Sequence, residues 1–272
     1  MKLTIFTPTY NRAYVLGRVY NSMLKQSNKD FEWVIMDDGS TDNTEELVVQ
    51  WEKEKQVCIK YYKQENQGRF AAFNNVKQYF DGELILWCDS DDELVEDAVE
   101  LIIDTWTGLQ NCSELSGILG YMVNRNYDLI GTEFPTNIKS ERMFVLYDKY
   151  KLKGDKAVVF RNDLVQKYCY PVFENEKFGG DSLLFNKIND EYPMYLLRNP
   201  LVIREYLPDS ITNNLLKNHI NSANGMREHY KDAILHEKYN KMIYVNIMWD
   251  ILHMPDLQAR GFVEFWMRFL ID

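Results

Sequence analysis

The fold of this chain is decided by an apolar run that ends in acids, Leu84-Ile85-Leu86-Trp87-Cys88-Asp89-Ser90-Asp91-Asp92-Glu93. The apolar part predicts a buried strand. The four carboxylates that follow would repel one another beside the core. A divalent cation such as Mg2+ or Mn2+ would neutralise them, with water and phosphate oxygens as further ligands. A solvated acidic turn before a helix that begins near Leu94 fits the same composition, so this stretch alone leaves both interpretations open.

Strand, loop and helix alternate four times between Leu3 and Trp106. Strands are predicted at 3–6, 31–36, 57–62 and 84–88, and helices at 13–26, 42–54, 69–80 and 95–106. This order predicts an α/β fold with a mainly parallel sheet flanked by helices. Ligands of such sheets bind beyond the carboxyl ends of the strands. We therefore expect one rim to collect Thr7-Pro8-Thr9, Asp37-Asp38-Gly39, Asn66-Gln67-Gly68 and Asp89-Ser90-Asp91.

The alternation stops after Thr107, where we place a boundary. Further strands are predicted at 115–123, 128–130, 157–161, 194–197 and 201–206, with helices at 162–167 and 182–189. From residue 213 the chain is predicted to be helical. The sequence thus predicts three parts, 1–107, 108–212 and a helical C-terminal appendage, 213–272.

Composition indicates an ordinary globular protein and excludes some partners. The 272 residues are 46% hydrophobic and 26% charged, with a formal net charge of -10. Nucleic-acid binding demands a basic surface, so a general phosphate-backbone binder is excluded. An anionic substrate would need local help from a cation or from backbone N–H groups.

The cysteines and the apolar runs bear on the compartment. Cys58, Cys88, Cys112 and Cys169 form no CxxC pair, and the first two lie in strand-like runs, which favours reduced core cysteines over a disulfide framework. We find no signal peptide and no run long enough to cross a bilayer. The expected location is the cytoplasm, with peripheral contact at the inner face of the cell membrane left open.

Taken together, the rim motifs resemble those of family-2 glycosyltransferases, which have the GT-A fold. The resemblance covers residues 1–105, and its D-x-D motif is Asp89-Ser90-Asp91. A looser match to a bacterial branch of the family follows in the second half. The other motifs are Thr7–Arg12, Glu32–Thr44, Glu65–Arg69 with Ala72 and Asn74, Lys153–Lys156, Glu176–Asp181 and Glu205–Asp209.

The resemblance implies an enzyme of bacterial polysaccharide synthesis. It would be a metal-dependent, inverting transferase that moves a sugar from a nucleoside diphosphate, expected to be UDP, to a hydroxyl of a glycan or lipid-linked acceptor. Residues 1–107 would bind the nucleotide sugar and 108–212 the acceptor. A homodimer through the C-terminal helices is left open, because their charges are nearly balanced and their aromatic positions suit packing better than an anionic membrane.

The resemblance also implies roles for the rim residues. Asp38 would accept a hydrogen bond from a base such as uracil, Asp89 would lie at the ribose and the metal, and Asp91 would bind Mn2+ or Mg2+. Arg69 would assist at the phosphates, although an exposed residue in a first helical turn explains it equally well. The residues predicted to bind the donor are Thr7, Pro8, Thr9, Tyr10, Asp38, Gly68, Arg69, Asp89 and Ser90.

Asp181 is the predicted base, because an acid that opens a late helix faces the acceptor in the resembled family. It follows Gly179-Gly180 and precedes the apolar start of the helix at 182–189. An N-capping aspartate fits the same position. With one base and no second carboxylate nucleophile, single displacement with inversion is expected.

Two other functions remain open at this point. A nucleotidyltransferase usually has a Gly-rich basic loop after its first strand, and Thr7–Arg12 contains no glycine. A sugar-nucleotide-binding protein that has lost its base would keep the rim motifs and lack turnover.

Overall fold

The fold is built on a mixed sheet, seen in a computed structural model that describes residues 2–177, 179–207, 218 and 221–236. Within these residues the strand order is β3-β2-β1-β4-β8-β6-β9-β5, and β7 pairs with β9. The strands are β1 (Leu3–Thr9), β2 (Phe31–Asp37), β3 (Ile59–Lys63), β4 (Leu84–Trp87), β5 (Glu93–Leu94), β6 (Gly117–Val123), β7 (Ser140–Glu141), β8 (Lys156–Arg161) and β9 (Met194–Ile203).

Helices flank the sheet, and apolar clusters lie on its two faces. Successive side chains of a strand point to opposite faces, so Ile5 joins one cluster and Phe6 the other. Burial on both faces explains why the strands are almost continuously apolar. The helices are α1 (Ala13–Leu24), α2 (Thr44–Glu54), α3 (Arg69–Val76), α4 (Ala98–Gly108), α5 (Met143–Asp148), α6 (Asn162–Lys167), α7 (Ser182–Glu191) and α8 (Ala223–His236).

Strand direction sets the position of the loops. The predicted α/β class is confirmed, and β1 to β4 are parallel. The second half adds antiparallel pairs, because β8 runs against both β4 and β6, whereas β9 is parallel to β6. The sheet as a whole is therefore mixed. The end of β9 and the start of β8 lie at the same edge as the carboxyl ends of β1, β2 and β4.

The second half departs from the predicted elements. The two strands predicted at 194–197 and 201–206 are one strand, β9, whose register against β6 shifts around Tyr121. Gly120 faces Leu201 so closely that a Cβ at this glycine would lie 2.4 Å from the leucine Cδ1. The strand predicted at 128–130 is reduced to one bridge between Val123 and Leu129.

The cysteine prediction was right for one of its two core residues. Cys88 is buried and free, whereas Cys58 is free but exposed, because it precedes the edge strand β3. Cys112 and Cys169 are also free thiols. None of the helices in the described part of the chain combines the length and apolar character that a membrane span requires. Apart from α8 and its few neighbours, the predicted helical appendage lies outside the described residues.

Candidate active site

A cavity of about 1050 Å³ opens at the edge where these strands end. It is lined by ten of the residues predicted from the sequence, namely Pro8, Thr9, Tyr10, Asp38, Gly68, Arg69, Asp89, Ser90, Asp91 and Asp181. Thr7 is not among the lining residues. Because β1 extends to Thr9, three residues beyond the predicted strand end, Thr7 lies inside the sheet, where its hydroxyl accepts a hydrogen bond from Trp33 Nε1 at 2.9 Å.

At one end of the cavity, Asp38 shapes the loop before α3. One carboxylate oxygen accepts hydrogen bonds from Gln64 Nε2 at 2.7 Å and Gln67 N at 2.8 Å. The other accepts one from Gly68 N at 2.7 Å. Gly68 has a φ of 94°, and a Cβ there would lie 2.7 Å from the carbonyl oxygen of Lys177. Only glycine fits this position.

Two buried side-chain oxygens at this end, Thr9 Oγ1 and Asn66 Oδ1, have no hydrogen-bond partner in the described part of the chain. Both residues line the cavity. Buried polar atoms are normally satisfied, so these two are available to a polar ligand.

The neighbouring aspartate, Asp37, stabilises the loop after β2. It is fully buried and accepts hydrogen bonds from Ser40 N at 2.7 Å and from the Tyr61 hydroxyl at 2.6 Å. Asn11, in the left-handed region at φ 52°, joins the β1 and β2 loops by accepting a hydrogen bond from Thr41 N at 2.8 Å.

The acids after β4 do not cap a helix. Glu93–Leu94 form β5, which pairs with β9, and α4 begins only at Ala98. The interpretation of the acidic stretch as the entrance to a helix near Leu94 was therefore wrong. Asp92 is 1% exposed, and burial raises its pKa to about 7 against the opposing effect of its ion pair.

That ion pair is with Arg204, a residue that the sequence analysis did not select. Its guanidinium holds both oxygens of Asp92, at 3.0 and 2.6 Å, and donates to Asp89 Oδ2 at 2.8 Å. It also donates to Asp155 Oδ2 at 2.9 Å. The predicted strand 201–206 would have placed Arg204 inside the sheet. Since β9 ends at Ile203, this arginine begins the loop at the rim.

Asp89 is held from two sides. Its Oδ1 accepts hydrogen bonds from Trp87 Nε1 at 3.2 Å and from Arg69 Nη2 at 3.3 Å, whereas Oδ2 faces Arg204. Burial alone would favour the protonated form, but the two guanidinium groups outweigh it and lower the pKa of Asp89.

Asp91 is in the opposite situation. Within the described residues no other side chain donates a hydrogen bond to it, and burial, followed by the charge of Asp89, raises its pKa. A cation would relieve this repulsion. The described residues contain no group of three His, Cys, Asp or Glu side chains placed to hold a metal by themselves. The donor set fits an ion that is bound by one or two carboxylates and completed by substrate phosphates.

Arg69 connects the two groups of acids. Its Nη2 lies 3.3 Å from Asp89 Oδ1 and 3.4 Å from Asp181 Oδ1. The guanidinium also lies over the Trp87 ring, 5.4 Å from the ring centroid. The side chain of Arg69 is only 18% exposed, so the alternative interpretation of Arg69 as an exposed residue in a first helical turn was wrong.

Asp181 stands at the start of α7 but makes no capping hydrogen bond. Its Oδ1 is buried beside Arg69 and accepts no hydrogen bond from any described residue. The side chain as a whole is 42% exposed, so the other oxygen faces the cavity. Burial of the group raises the pKa of Asp181, and the charge of Arg69 opposes this shift. The geometry is that of a carboxylate that can accept a proton from a bound ligand.

Helix α8, from the predicted appendage, closes one side of the cavity. Glu176 accepts hydrogen bonds from the backbone N–H groups of Asn224 and Gly225, at 3.0 and 2.8 Å, and so fixes the start of this helix. His229 Nδ1 lies 3.0 Å from Ser182 Oγ, next to Asp181. His229 lines the cavity, a position that no sequence motif indicated.

Comparison with known proteins identifies the family. The model of "Glycosyl transferase family 2" matches residues 4–169, more than half of the chain. A GalNAc(5)-diNAcBac-PP-undecaprenol β-1,3-glucosyltransferase of Campylobacter jejuni is 28% identical over 225 residues, which are 80% of this chain and 69% of that protein. The matched part of this chain spans 69% of the length of the C. jejuni protein, but only 37% and 16% of the lengths of two other curated glycosyltransferases.

Solved structures agree on the fold. The structure of S. aureus TarS 1-349 in complex with UDP-GlcNAc has a TM-score of 0.63 at 19% identity, covering 96% of this chain and 69% of that one. The mannosyltransferase PcManGT of Pyrobaculum calidifontis, in complex with GDP-Man and Mn2+, has a TM-score of 0.58 at 17% identity, covering 100% and 81%. The chain belongs to glycosyltransferase family 2 and has the GT-A fold.

Proposed function

We propose that this family-2 glycosyltransferase is a metal-assisted, inverting enzyme that transfers a sugar from a UDP-sugar to a hydroxyl of a glycan or lipid-linked acceptor. The observation that carries the proposal is one cavity shared by Asp181, by Asp91, whose carboxylate accepts no hydrogen bond from another described side chain, and by the loops that present Thr9 and Asn66. The TarS complex with UDP-GlcNAc and the C. jejuni relative support the donor and acceptor classes.

The donor's two ends would meet different residues. The base and ribose would lie near Asp38, against Thr9 and Asn66, because Thr9 Oγ1 and Asn66 Oδ1 accept no hydrogen bond from the described residues. The diphosphate would lie toward Arg69 and Asp91. A divalent ion, Mn2+ or Mg2+, held at Asp91 with Asp89 beside it, would supply positive charge to the leaving diphosphate.

The acceptor hydroxyl would give its proton to the cavity-facing oxygen of Asp181. The acceptor oxygen then forms the new bond to the anomeric carbon while the bond from that carbon to the diphosphate breaks. Nucleoside diphosphate leaves with the electron pair. One displacement of this kind inverts the anomeric configuration. The buried Oδ1 beside Arg69 keeps the carboxylate oriented throughout.

The test is Asp181→Asn in the full chain, with the exposed Glu174→Gln as control. A screen of UDP-, GDP- and dTDP-sugars with Mn2+ by thermal shift first identifies the donor, since a bound ligand raises the apparent stability. We expect Asp181→Asn to lower the transfer rate about 10³-fold while the donor still binds, as for the loss of a general base.

Two results would overturn the proposal. Transfer by Asp181→Asn at the wild-type rate would remove this residue from the mechanism. A wild-type chain that binds the donor but neither transfers nor hydrolyses it would indicate a binding protein instead.

A further inference from the structure

Arg204 lies between the two halves of the site, and the proposed transfer mechanism gives it no role. It follows the last residue of β9, and its backbone N–H donates to Val123 O at 2.8 Å, which fixes the start of its side chain on the sheet. The side chain is 18% exposed and points into the acidic loop Asp89–Asp92.

The contacts of Arg204 distinguish among the three aspartates of that loop. Asp92 receives the bidentate fork and Asp89 a single hydrogen bond, whereas Asp91 receives none. A guanidinium keeps its charge at any relevant pH, and its planar fork matches a carboxylate. A buried carboxylate without such a partner would be strongly destabilising.

Asp155 completes the arrangement from the other side of the site. Its Oδ2 accepts hydrogen bonds from Arg204 Nη1 at 2.9 Å and from the Tyr206 hydroxyl at 3.0 Å. The loop that carries Asp155 is fixed by Lys156, whose ammonium nitrogen lies within hydrogen-bond distance of four backbone carbonyl oxygens. These contacts hold Arg204 in the conformation that places its guanidinium against Asp89 and Asp92.

We propose that Arg204 is a positioning residue that serves as the permanent counter-ion of Asp89 and Asp92. The acidic loop is then formed before any metal binds, and Asp91 is the carboxylate left for the ion. The inference rests on the proposed function for the identity of the ion, but its first test uses neither donor nor acceptor.

The first experiment measures the thermal unfolding of the full chain in EDTA and in MnCl2, without nucleotide. Arg204→Gln removes this cation from Asp92 and Asp155 and leaves Asp89 with Arg69 alone, so we expect a lower Tm in EDTA and a rise of at least about 3 °C with Mn2+. Wild type and Arg125→Gln should each change by less than about 1 °C. Arg125 is a matched control because it pairs with Glu93 and Glu205, outside the Asp89–Asp92 loop.

The second experiment separates the aspartates by the Mn2+ concentration that gives half-maximal UDP binding in calorimetry. Asp92→Asn should change this Mn2+ concentration by less than about twofold, because Asp92 pairs with Arg204 and not with the ion. Asp91→Asn should raise the same concentration at least about tenfold. This measurement also decides the matter if Arg204→Gln does not fold.

Two outcomes would overturn the inference. One is an Arg204→Gln chain that responds to Mn2+ no more than wild type does. The other is an Asp92→Asn chain that needs as much extra Mn2+ as Asp91→Asn, since Asp92 would then be a metal ligand. Neither readout requires sugar transfer, so a failure here is distinct from a failure of the proposed reaction.

Discussion

The two halves of the chain contribute to the cavity in different ways. In the first half, many of the lining residues lie at or just beyond the carboxyl end of a parallel strand, as Thr9, Asp38 and Asp89 do. In the second half, Asp155 precedes a strand, Asp181 begins a helix and Arg204 follows a strand with a shifted register. The first half thus presents groups to a ligand by a repeated rule, whereas the second half adds single residues that orient those groups.

This difference suggests a division of labour. Residues of the first half would bind the donor and the ion. Those of the second half would hold the acidic loop and accept the proton. Arg69 is the exception, because it belongs to the first half but pairs with Asp181. Variants on either side of this division should therefore separate binding from turnover.

The largest effect is expected from losing the ion. Asp91→Asn, or EDTA applied to wild type, should lower the transfer rate about 10³-fold because the leaving diphosphate loses its counter-charge. Added Mn2+ should restore wild type and not Asp91→Asn. The rate is measured as UDP release against Mn2+ concentration, and Asp97→Asn, an exposed acid at the start of α4, is the control. Undiminished transfer in EDTA would end the metal assignment.

Arg69→Met should have the next largest effect, about a 10²-fold loss of rate, because it disconnects Asp181 from Asp89. The pH profile provides the sharper readout. As the proposed base, Asp181 would act in its deprotonated form, so activity should fall as the pH drops through its pKa. Arg69 opposes the rise of this pKa, and its removal should move the acidic limb to higher pH.

The control for this shift is Arg18→Gln, an exposed residue that pairs with Glu205. If the acidic limb of the pH–rate profile lies at the same pH in Arg69→Met as in wild type, the protonation of Asp181 does not determine that limb. Unchanged donor affinity together with the shifted limb would place the main role of Arg69 on the turnover side of the division.

The same difference between the halves explains which residues of the cavity could be predicted from the sequence. Strand ends in a parallel sheet meet at one edge, so alternation and loop chemistry account for seven of the ten predicted residues that line the cavity. The family resemblance added the other three, Tyr10, Arg69 and Asp181. Arg204 was missed because a single apolar run, Leu201-Val202-Ile203, does not mark where its strand ends. His229 was missed because its place depends on how α8 packs, and local periodicity carries no such information.

A smaller effect should follow from breaking a link between the halves that lies outside the cavity. Lys77 is buried, and its ammonium donates to the backbone carbonyls of Val165, Gln166 and Tyr168 at the end of α6. Lys77→Met should lower the free energy of unfolding by about 2 kcal/mol because it leaves these carbonyls unsatisfied. Urea unfolding measures the change, with the half-exposed Lys167→Met as control.

Donor affinity in Lys77→Met should equal that of wild type under conditions where both chains are folded. A loss of affinity without a loss of stability would show that the packing between the halves tunes the cavity directly, contrary to the division proposed above.

The smallest effect is expected at Asn11, which joins two loops of the first half. Its φ of 52° is left-handed, and its side chain accepts a hydrogen bond from Thr41 N. Asn11→Ala loses the hydrogen bond and strains the backbone, at a cost of about 1–2 kcal/mol. Asn11→Gly loses the hydrogen bond alone, so the difference between the two variants isolates the strain. Both should weaken UDP binding severalfold in calorimetry and leave turnover at saturating donor unchanged. A fall in that saturated rate would mean that first-half loops also orient the reacting groups, and the two halves would then share the work that the comparison assigns to one.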